Sequence, residues 1–233
     1  PYTTHNVNIM GTINFLENIR KINPNIIFIY SSSDKAYGEL NKRNFYKETD
    51  CLASEYPYDI SKSASDLICQ SFSKTYSLKV GIIRCGNIYG PGDFNLKRLI
   101  PEVILSSIQN KKFVIRSNGK STRDYVYVND VVLAYISLMK KLIKSKDKLK
   151  IYNVSSKFNY SVIEIVRFIL KEMNCLHLKP IIMNNSRQEI NFQRLNFSKI
   201  SKELKWFPKT KINKGISETI NWYKKYYKFL KKK

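Results

Sequence analysis

Tyr58 and Lys62, four residues apart, are the first pair in this 233-residue chain whose types and spacing could do chemistry. At that spacing on a helix both side chains lie on one face. An ammonium beside a phenol favours the phenolate, and a phenolate can take a proton from an alcohol. The spacing also arises by chance, so the pair alone names no reaction. Ser31-Ser32-Ser33-Asp34-Lys35 forms a second candidate, ending the apolar run at 26–31. Open parallel sheets bind ligands at the carboxyl ends of their strands. Hydroxyls, a carboxylate and an ammonium there suit acid–base work, although a plain polar turn has the same composition. Gly86-Asn87-Ile88-Tyr89-Gly90-Pro91-Gly92-Asp93 follows another apolar run. Its glycines would let backbone approach a ligand closely, as they would in an ordinary turn. Arg123-Asp124 could clamp phosphate, since Arg binds it as a bidentate fork, or could be a surface ion pair.

The elements that must hold these groups are legible in the apolar pattern. Residues 26–31 and 79–85 are continuous apolar runs of strand length, as expected for parallel strands buried on both faces. Helical spacing occupies 6–20 and 58–76. The polar stretch 32–55 reads as a long loop, and loops of that length tend to be functional. Beyond Leu99 the elements shorten: helix 99–109, strand 113–116 and strand 125–128. A helix from about 130 to 144 could be capped by Asn129 or Asp130. A strand follows at 151–154. Ser161 opens a helix reaching about 173, and Glu164 completes a capping box. The end of the chain reads as strand 179–183 and helices 198–204 and 213–229. Alternating strands and helices predict an α/β fold with a parallel sheet. Residues 1–98 are expected to form one part and 99–233 mainly a smaller lobe interleaved with it.

Hydrophobic residues make up 43% and charged residues 25%, which excludes disordered and collagen-like classes. The chain contains no apolar run of about 18 residues, so no membrane helix is expected. Pro1 to Asn8 lacks the basic head and apolar core of a signal peptide. Cys51, Cys69, Cys85 and Cys175 show no CxxC spacing, and His5 and His177 are the only histidines. That pattern argues against a zinc site or disulfide framework and fits a reducing cytoplasm. The formal charge is +23, from 41 Lys+Arg against 18 Asp+Glu. Such charge suits a polyanion partner, but abundant Lys, Asn, Ile and Tyr also fit simple compositional bias. With no nucleic-acid motif beside the charge, neither nucleic acid nor membrane is expected as partner. An anionic small substrate fits either account.

Read in order, Ser-Asp-Lys, YxxxK, GNIYGPGD, Leu99-Ile100-Pro101 and Arg123-Asp124-Tyr125-Val126-Tyr127-Val128-Asn129-Asp130 resemble the extended short-chain dehydrogenases. Within them the chain is most similar to the NAD-dependent sugar-nucleotide epimerases and dehydratases. The resemblance runs from Asn8-Ile9-Met10-Gly11-Thr12 to Trp222-Tyr223 and includes Leu204-Lys205-Trp206-Phe207-Pro208. It implies a Rossmann-type sheet with a smaller carboxyl-terminal α/β substrate lobe, and NAD as cofactor. Tyr58 is then the base on the sugar 4-hydroxyl, and Lys62 binds the nicotinamide ribose. Ser33 bonds the 4-oxygen, while Ser31 and Cys85 line the cofactor. Asn87, Leu99 and Arg123 contact the nucleotide-sugar, with Arg187 as a second phosphate ligand. Asp34-Lys35 resembles the acid–base dyad of CDP-glucose 4,6-dehydratases: Asp34 protonates the departing 6-hydroxyl and Lys35 removes the C5 proton. Ala36-Tyr37-Gly38 is similar to the epimerase pattern, which keeps a UDP-hexose 4-epimerase as the alternative. A catalytically silent, basic binding protein for nucleic acid or anionic surfaces is the rival of another class. The resemblance further implies a homodimer through helices 6–20 and 58–76.

The family's opening strand and GxxGxxG loop, which seat the cofactor pyrophosphate on a helix N-terminus, have no counterpart here. About 80 residues, roughly two to three βα units, would carry them. This chain by itself is therefore expected to bind NAD poorly. Thermal melting with and without NAD checks this: no ligand shift is expected, and a clear rise in Tm contradicts it.

Overall fold

A computed structural model describes residues 1–39, 45–185 and 193–230. Along the chain, α1 (Tyr2–His5), a π turn (Asn6–Met10) and α2 (Gly11–Ile22) run without a break. Then come β1 (Phe28–Ser33), a 3₁₀ turn (Asp34–Tyr37), α3 (Pro57–Tyr76), β2 (Val80–Cys85) and β3 (Asn87–Tyr89). The middle holds α4 (Leu99–Ile108), β4 (Val114–Ile115), β5 (Thr122–Tyr127), α5 (Val128–Lys144) and β6 (Leu149–Val154). The rest is β7 (Asn159–Ser161), α6 (Val162–Glu172), β8 (Ile181–Ile182), α7 (Ser198–Leu204) and α8 (Ile212–Leu230). The fold is α/β with a parallel sheet. Two compact units share the chain. One takes Pro1–Gly86, Val131–Ser155 and Gln193–Phe207; the other takes Asn87–Asp130, Ser156–Phe192 and Pro208–Lys233.

In the first unit three parallel strands lie in the order β1-β2-β6. Phe28 pairs with Val80 at one end and Ser33 with Cys85 at the other. β2 is buried along its whole length, as a central parallel strand covered on both faces should be. Val80 and Ile82 point to one face, where they meet Leu16, Ile19 and Cys69 from α2 and α3. Gly81 points to the other, where a Cβ would come within 2.8 Å of Leu138 and 2.9 Å of Leu142 on α5. A side chain there would push that helix off the sheet.

The same unit buries a polar network. Arg84 and Asp66 are 2% and 0% exposed. Arg84 Nε and Nη2 each donate to one Asp66 carboxylate oxygen at 2.9 Å, a bidentate fork. Arg84 Nη1 donates to the Tyr37 hydroxyl at 2.9 Å and to the Glu48 carbonyl at 3.2 Å. Tyr37 donates to Asn153 Oδ1 at 2.8 Å, and Asn153 Nδ2 donates to the Tyr46 carbonyl at 2.9 Å. Ser32 Oγ donates to Asp66 Oδ2 at 2.7 Å. The network thus ties β1, β2, β6, α3 and the stretch after Gly38 together. Gly38 itself has φ +75°, and a Cβ there would collide with the Ala53 carbonyl.

In the second unit β3 runs parallel to β5, and β7 runs antiparallel to it. A small parallel pair, β4 and β8, stands apart from them. Val103, Ile104, Phe113, Ile165, Ile169, Ile216, Ile220 and Tyr223 form its core. Both halves of the capping box on α6 are made: Ser161 N–H donates to Glu164 Oε2 at 2.7 Å, and Glu164 N–H donates to Ser161 Oγ at 3.3 Å. The Ser161 hydroxyl, which donates to Glu164 Oε2 at 2.7 Å, and the Ser161 N–H together hold the Glu164 carboxyl below its usual range.

Three element assignments need correction. Residues 87–89, read as part of a turn-rich loop, form β3, with Gly86 before them and Gly90 and Gly92 after. Residues 32–37 are strand and 3₁₀ turn instead of loop. Helix α5 starts at Val128, directly from β5, so neither Asn129 nor Asp130 is an outside cap. Asp130 instead accepts the Thr210 backbone N–H at 2.9 Å.

Removing Asp66 alone would leave a buried guanidinium without its counter-ion. Asp66→Ala should cost about 3–5 kcal/mol. The double variant Asp66→Leu/Arg84→Met should recover most of that loss. Urea unfolding of the three proteins measures both; equal destabilisation by single and double variants contradicts the account.

Candidate active site

The carboxyl ends of β1 and β2 place the first group of residues in the first unit. Ser31, Ser32 and Ser33 pair with Ile83, Arg84 and Cys85. The chain then turns into the 3₁₀ segment, so Asp34 and Lys35 stand just past the strand end. Ser33 Oγ donates to Asp34 Oδ1 at 3.0 Å and accepts the Lys35 N–H at 3.2 Å. One hydroxyl therefore caps the turn and holds the carboxylate. Asp34 is 2% exposed, and Lys35 is half-buried.

Helix α3 supplies the second group. Its first residue is Pro57, whose fixed φ and missing N–H suit a helix start. Tyr58 follows at once and is 48% exposed. One turn on, Lys62 Nζ donates to the Ser31 carbonyl at 3.0 Å. It also lies 5.3 Å from the centre of the Tyr30 ring. Burial lowers the Lys62 ammonium below its usual range. A lysine anchored to the strand end by one N–H keeps two donors for a ligand.

Two neighbours escaped the reading of the sequence. Asp59, beside Tyr58, is 7% exposed. Burial is the main cause that raises its carboxyl; Lys35 pulls it down and Asp34 pushes it up. Tyr135 of α5 is raised chiefly by burial, against a hydrogen bond with Ser31 that lowers it. The only sequence signal for either was a polar group among residues that the fold buries. Cys85 is 3% exposed at the end of β2.

Three further candidates lie in the second unit. Asn87 opens β3 and pairs with Tyr125. Arg123 lies two residues before Tyr125 on the same face of β5. Arg123 is 7% exposed, and its Nη1 donates to the Thr122 carbonyl at 2.9 Å. It is thus a buried strand residue, unlike a surface ion pair. Leu99 begins α4 and packs on the core of this unit. Arg187 lies outside the described residues. The structure therefore gathers Ser31, Ser33, Asp34, Lys35, Tyr58, Lys62 and Cys85 within one unit. Asn87, Leu99 and Arg123 belong to the other.

Among the described residues no helix is long and apolar enough to cross a membrane. A family model described as GDP-mannose 4,6 dehydratase matches residues 1–219. The dTDP-D-glucose 4,6-dehydratase of Homo sapiens is 30% identical over 202 residues, covering 84% of this chain and 56% of the human protein. The dTDP-glucose 4,6-dehydratase of Escherichia coli is 28% identical, covering 93% of this chain and 66% of its own length. This chain thus spans a little over half to two thirds of those two relatives. Among solved structures, the dTDP-glucose 4,6-dehydratase of Bacillus anthracis in complex with NAD superposes with a TM-score of 0.87 at 28% identity. That match covers 98% of this chain and 71% of the other. The UDP-glucose 4-epimerase of Thermotoga maritima with UDP-glucose gives 0.86 at 26% identity, covering 95% and 70%. With its family model matched from end to near end, the chain belongs to the GDP-mannose 4,6-dehydratase family of NAD-dependent epimerases and dehydratases.

Proposed function

We propose that this chain carries the catalytic residues of a NAD-dependent sugar-nucleotide 4,6-dehydratase, with CDP-glucose as substrate. The observation that carries the reading is the gathering of two sets at one strand end: Tyr58 and Lys62 for oxidation, Ser33, Asp34 and Lys35 for elimination. The donor set fits a nicotinamide ribose, because the Lys62 ammonium is anchored on Ser31 with N–H groups to spare. When bound, NAD would supply the hydride acceptor for C4 and the hydride donor for C6.

The residues of the chain divide the remaining work. Tyr58, exposed at the helix start, takes the 4-hydroxyl proton. Ser33 bonds the 4-oxygen. The resulting ketone acidifies the C5 proton, and Lys35 removes it as a neutral amine. Asp34 gives its proton to the 6-oxygen, which departs as water. Arg123 and Arg187 hold the diphosphate, and Asn87 and Leu99 border the nucleotide-sugar. Cys85 and Ser31 line the cofactor. CDP-glucose is named because Asp34-Lys35 resembles the dyad of CDP-glucose 4,6-dehydratases. A homodimer through α2 and α3 belongs to the same reading, supported by exposed Phe15 and Leu67 on those helices.

The likeness to the Thermotoga maritima 4-epimerase supports a second reading, a UDP-hexose 4-epimerase. An epimerase has no use for the Asp34-Lys35 pair. The test incubates the full-length protein with NAD and, separately, CDP-glucose, UDP-glucose, dTDP-glucose or GDP-mannose, and follows product mass. Loss of one water from CDP-glucose is expected, and Lys35→Ala should slow it by about a hundred- to ten-thousandfold. Water loss from a different substrate keeps the dehydratase and replaces the base. An isomer of unchanged mass makes the protein an epimerase.

A further inference from the structure

Lys62 is half-buried, and an ammonium taken partly out of water needs compensation. Burial lowers it below its usual range, and one of its N–H groups is spent on the Ser31 carbonyl at 3.0 Å. Its Nζ also lies over the face of the Tyr30 ring, 5.3 Å from the centre. At that distance the negative face of a ring attracts a cation. Tyr30 is buried in the core that Leu16, Ile19 and Cys69 form with β2. Burial is the main cause that raises its hydroxyl above the usual phenol range, so the ring stays neutral. An aliphatic residue could fill that core position; an aromatic one also offers a face to an ammonium. On α3 itself Tyr58 and Asp59 precede Lys62, and Asp66 follows it. Asp66 is engaged by Arg84 of β2, by Ser32 Oγ and by Gln70 Nε2. The elements packed on α3 bring further ionisable groups. The 3₁₀ turn carries Asp34, Lys35 and Tyr37, β2 carries Cys85, β6 carries Lys150 and Tyr152, and α1 carries Tyr2 and His5. On α2, Arg20 and Lys21 both pair with Glu17, while Tyr135 of α5 bonds Ser31.

We propose that Tyr30 is the positioning residue for Lys62: the face of its ring holds the ammonium at the carboxyl end of β1, leaving N–H groups for the nicotinamide ribose. The role given to Lys62 rests on the dehydratase reading; the contact rests on the approach of Nζ to the ring. The ring favours the charged form of the lysine and so offsets the burial that disfavours it. Two successive residues of one strand then anchor the same nitrogen, Tyr30 by its ring and Ser31 by its carbonyl. Both are fixed in register, opposite Ile82 and Ile83 of β2. The lysine comes from α3, so its ammonium ties that helix to the strand end one turn after Tyr58. Tyr30 touches no reacting atom in this account; it acts through Lys62.

The test compares the full-length protein with Tyr30→Phe, Tyr30→Leu and a form carrying pentafluorophenylalanine at position 30. Each is first shown to be folded by its circular dichroism spectrum and urea midpoint. Phenylalanine keeps the ring, and leucine removes it. The fluorinated ring keeps the shape but loses the negative face, so it answers for the ring even if the leucine variant does not fold. NMR titration of the Lys62 side chain without cofactor gives a reading independent of turnover. The curve should stay in place in Tyr30→Phe and fall by about one pH unit with leucine or the fluorinated ring. Turnover with NAD gives the second reading. A step that needs the Lys62 ammonium fades as pH rises through the lysine's pKa. Its alkaline fall should therefore begin about one pH unit lower in those two forms. A Lys62 curve that does not move with the ring removed or fluorinated overturns the proposal, since lost packing alone changes rate and urea midpoint but not that curve. A curve that moves equally in Tyr30→Phe assigns the effect to the hydroxyl and overturns it too. A shifted curve with an unmoved alkaline fall refutes the positioning role. If the unaltered protein converts no nucleotide-sugar, the dehydratase reading fails, and the Lys62 titration still decides for or against the Tyr30 contact.

Discussion

The bidentate pair of Arg84 and Asp66 is the constraint around which the first unit is organised. A guanidinium taken out of water is tolerated only if its donors are satisfied and its charge is matched. Arg84 meets both conditions through Asp66, the Tyr37 hydroxyl and the Glu48 carbonyl. Each partner comes from a different stretch of chain. Satisfying one side chain therefore fixes where α3, the 3₁₀ turn and the segment after it must lie against β2. Such a pair is weak evidence of net stability, since its Coulomb gain offsets a large desolvation cost. Its consequence is placement.

That placement reaches the reactive groups within a residue or two. Ser32, bonded to Asp66, is the neighbour of Ser33. Tyr37, bonded to Arg84, ends the turn that begins with Asp34 and Lys35. Asp66 stands on the same helix as Tyr58 and Lys62, so the helix cannot slide without breaking the fork. Openness differs among the candidate groups: Tyr58 is half-exposed, whereas Asp34 is buried. A buried frame with side chains at a strand terminus is how such an end can hold chemistry while the sheet supplies order.

The likeness to known enzymes and the physics of the strand end bear on different questions. Family membership is what brings nucleotide-sugars and hydride exchange into the proposed function. In the proposed reaction Asp34 and Lys35 would separate elimination from simple inversion, because only elimination needs an acid and a base beside the ketone.

Much of this was legible in the residues themselves. The apolar runs at 26–31 and 79–85 became β1 and β2, because a strand buried on both faces must be apolar at successive positions. Ser161 and Glu164 announced the start of α6, since a capping box is a local device. Tyr58 and Lys62 shared a face because helical geometry alone puts them there. What the residues could not announce depended on partners distant in sequence. β3 was hidden in a turn-rich stretch because its pairing with β5 is what makes it a strand. Asp130 looked like a cap until Thr210 took its carboxylate. Asp59, Tyr135 and the Arg84–Asp66 fork carry no local signal, for a buried polar group is defined by what packs on it. Local order thus came from backbone geometry and side-chain periodicity, which a sequence contains. The company of each polar group came from long-range packing, which only the folded chain decides.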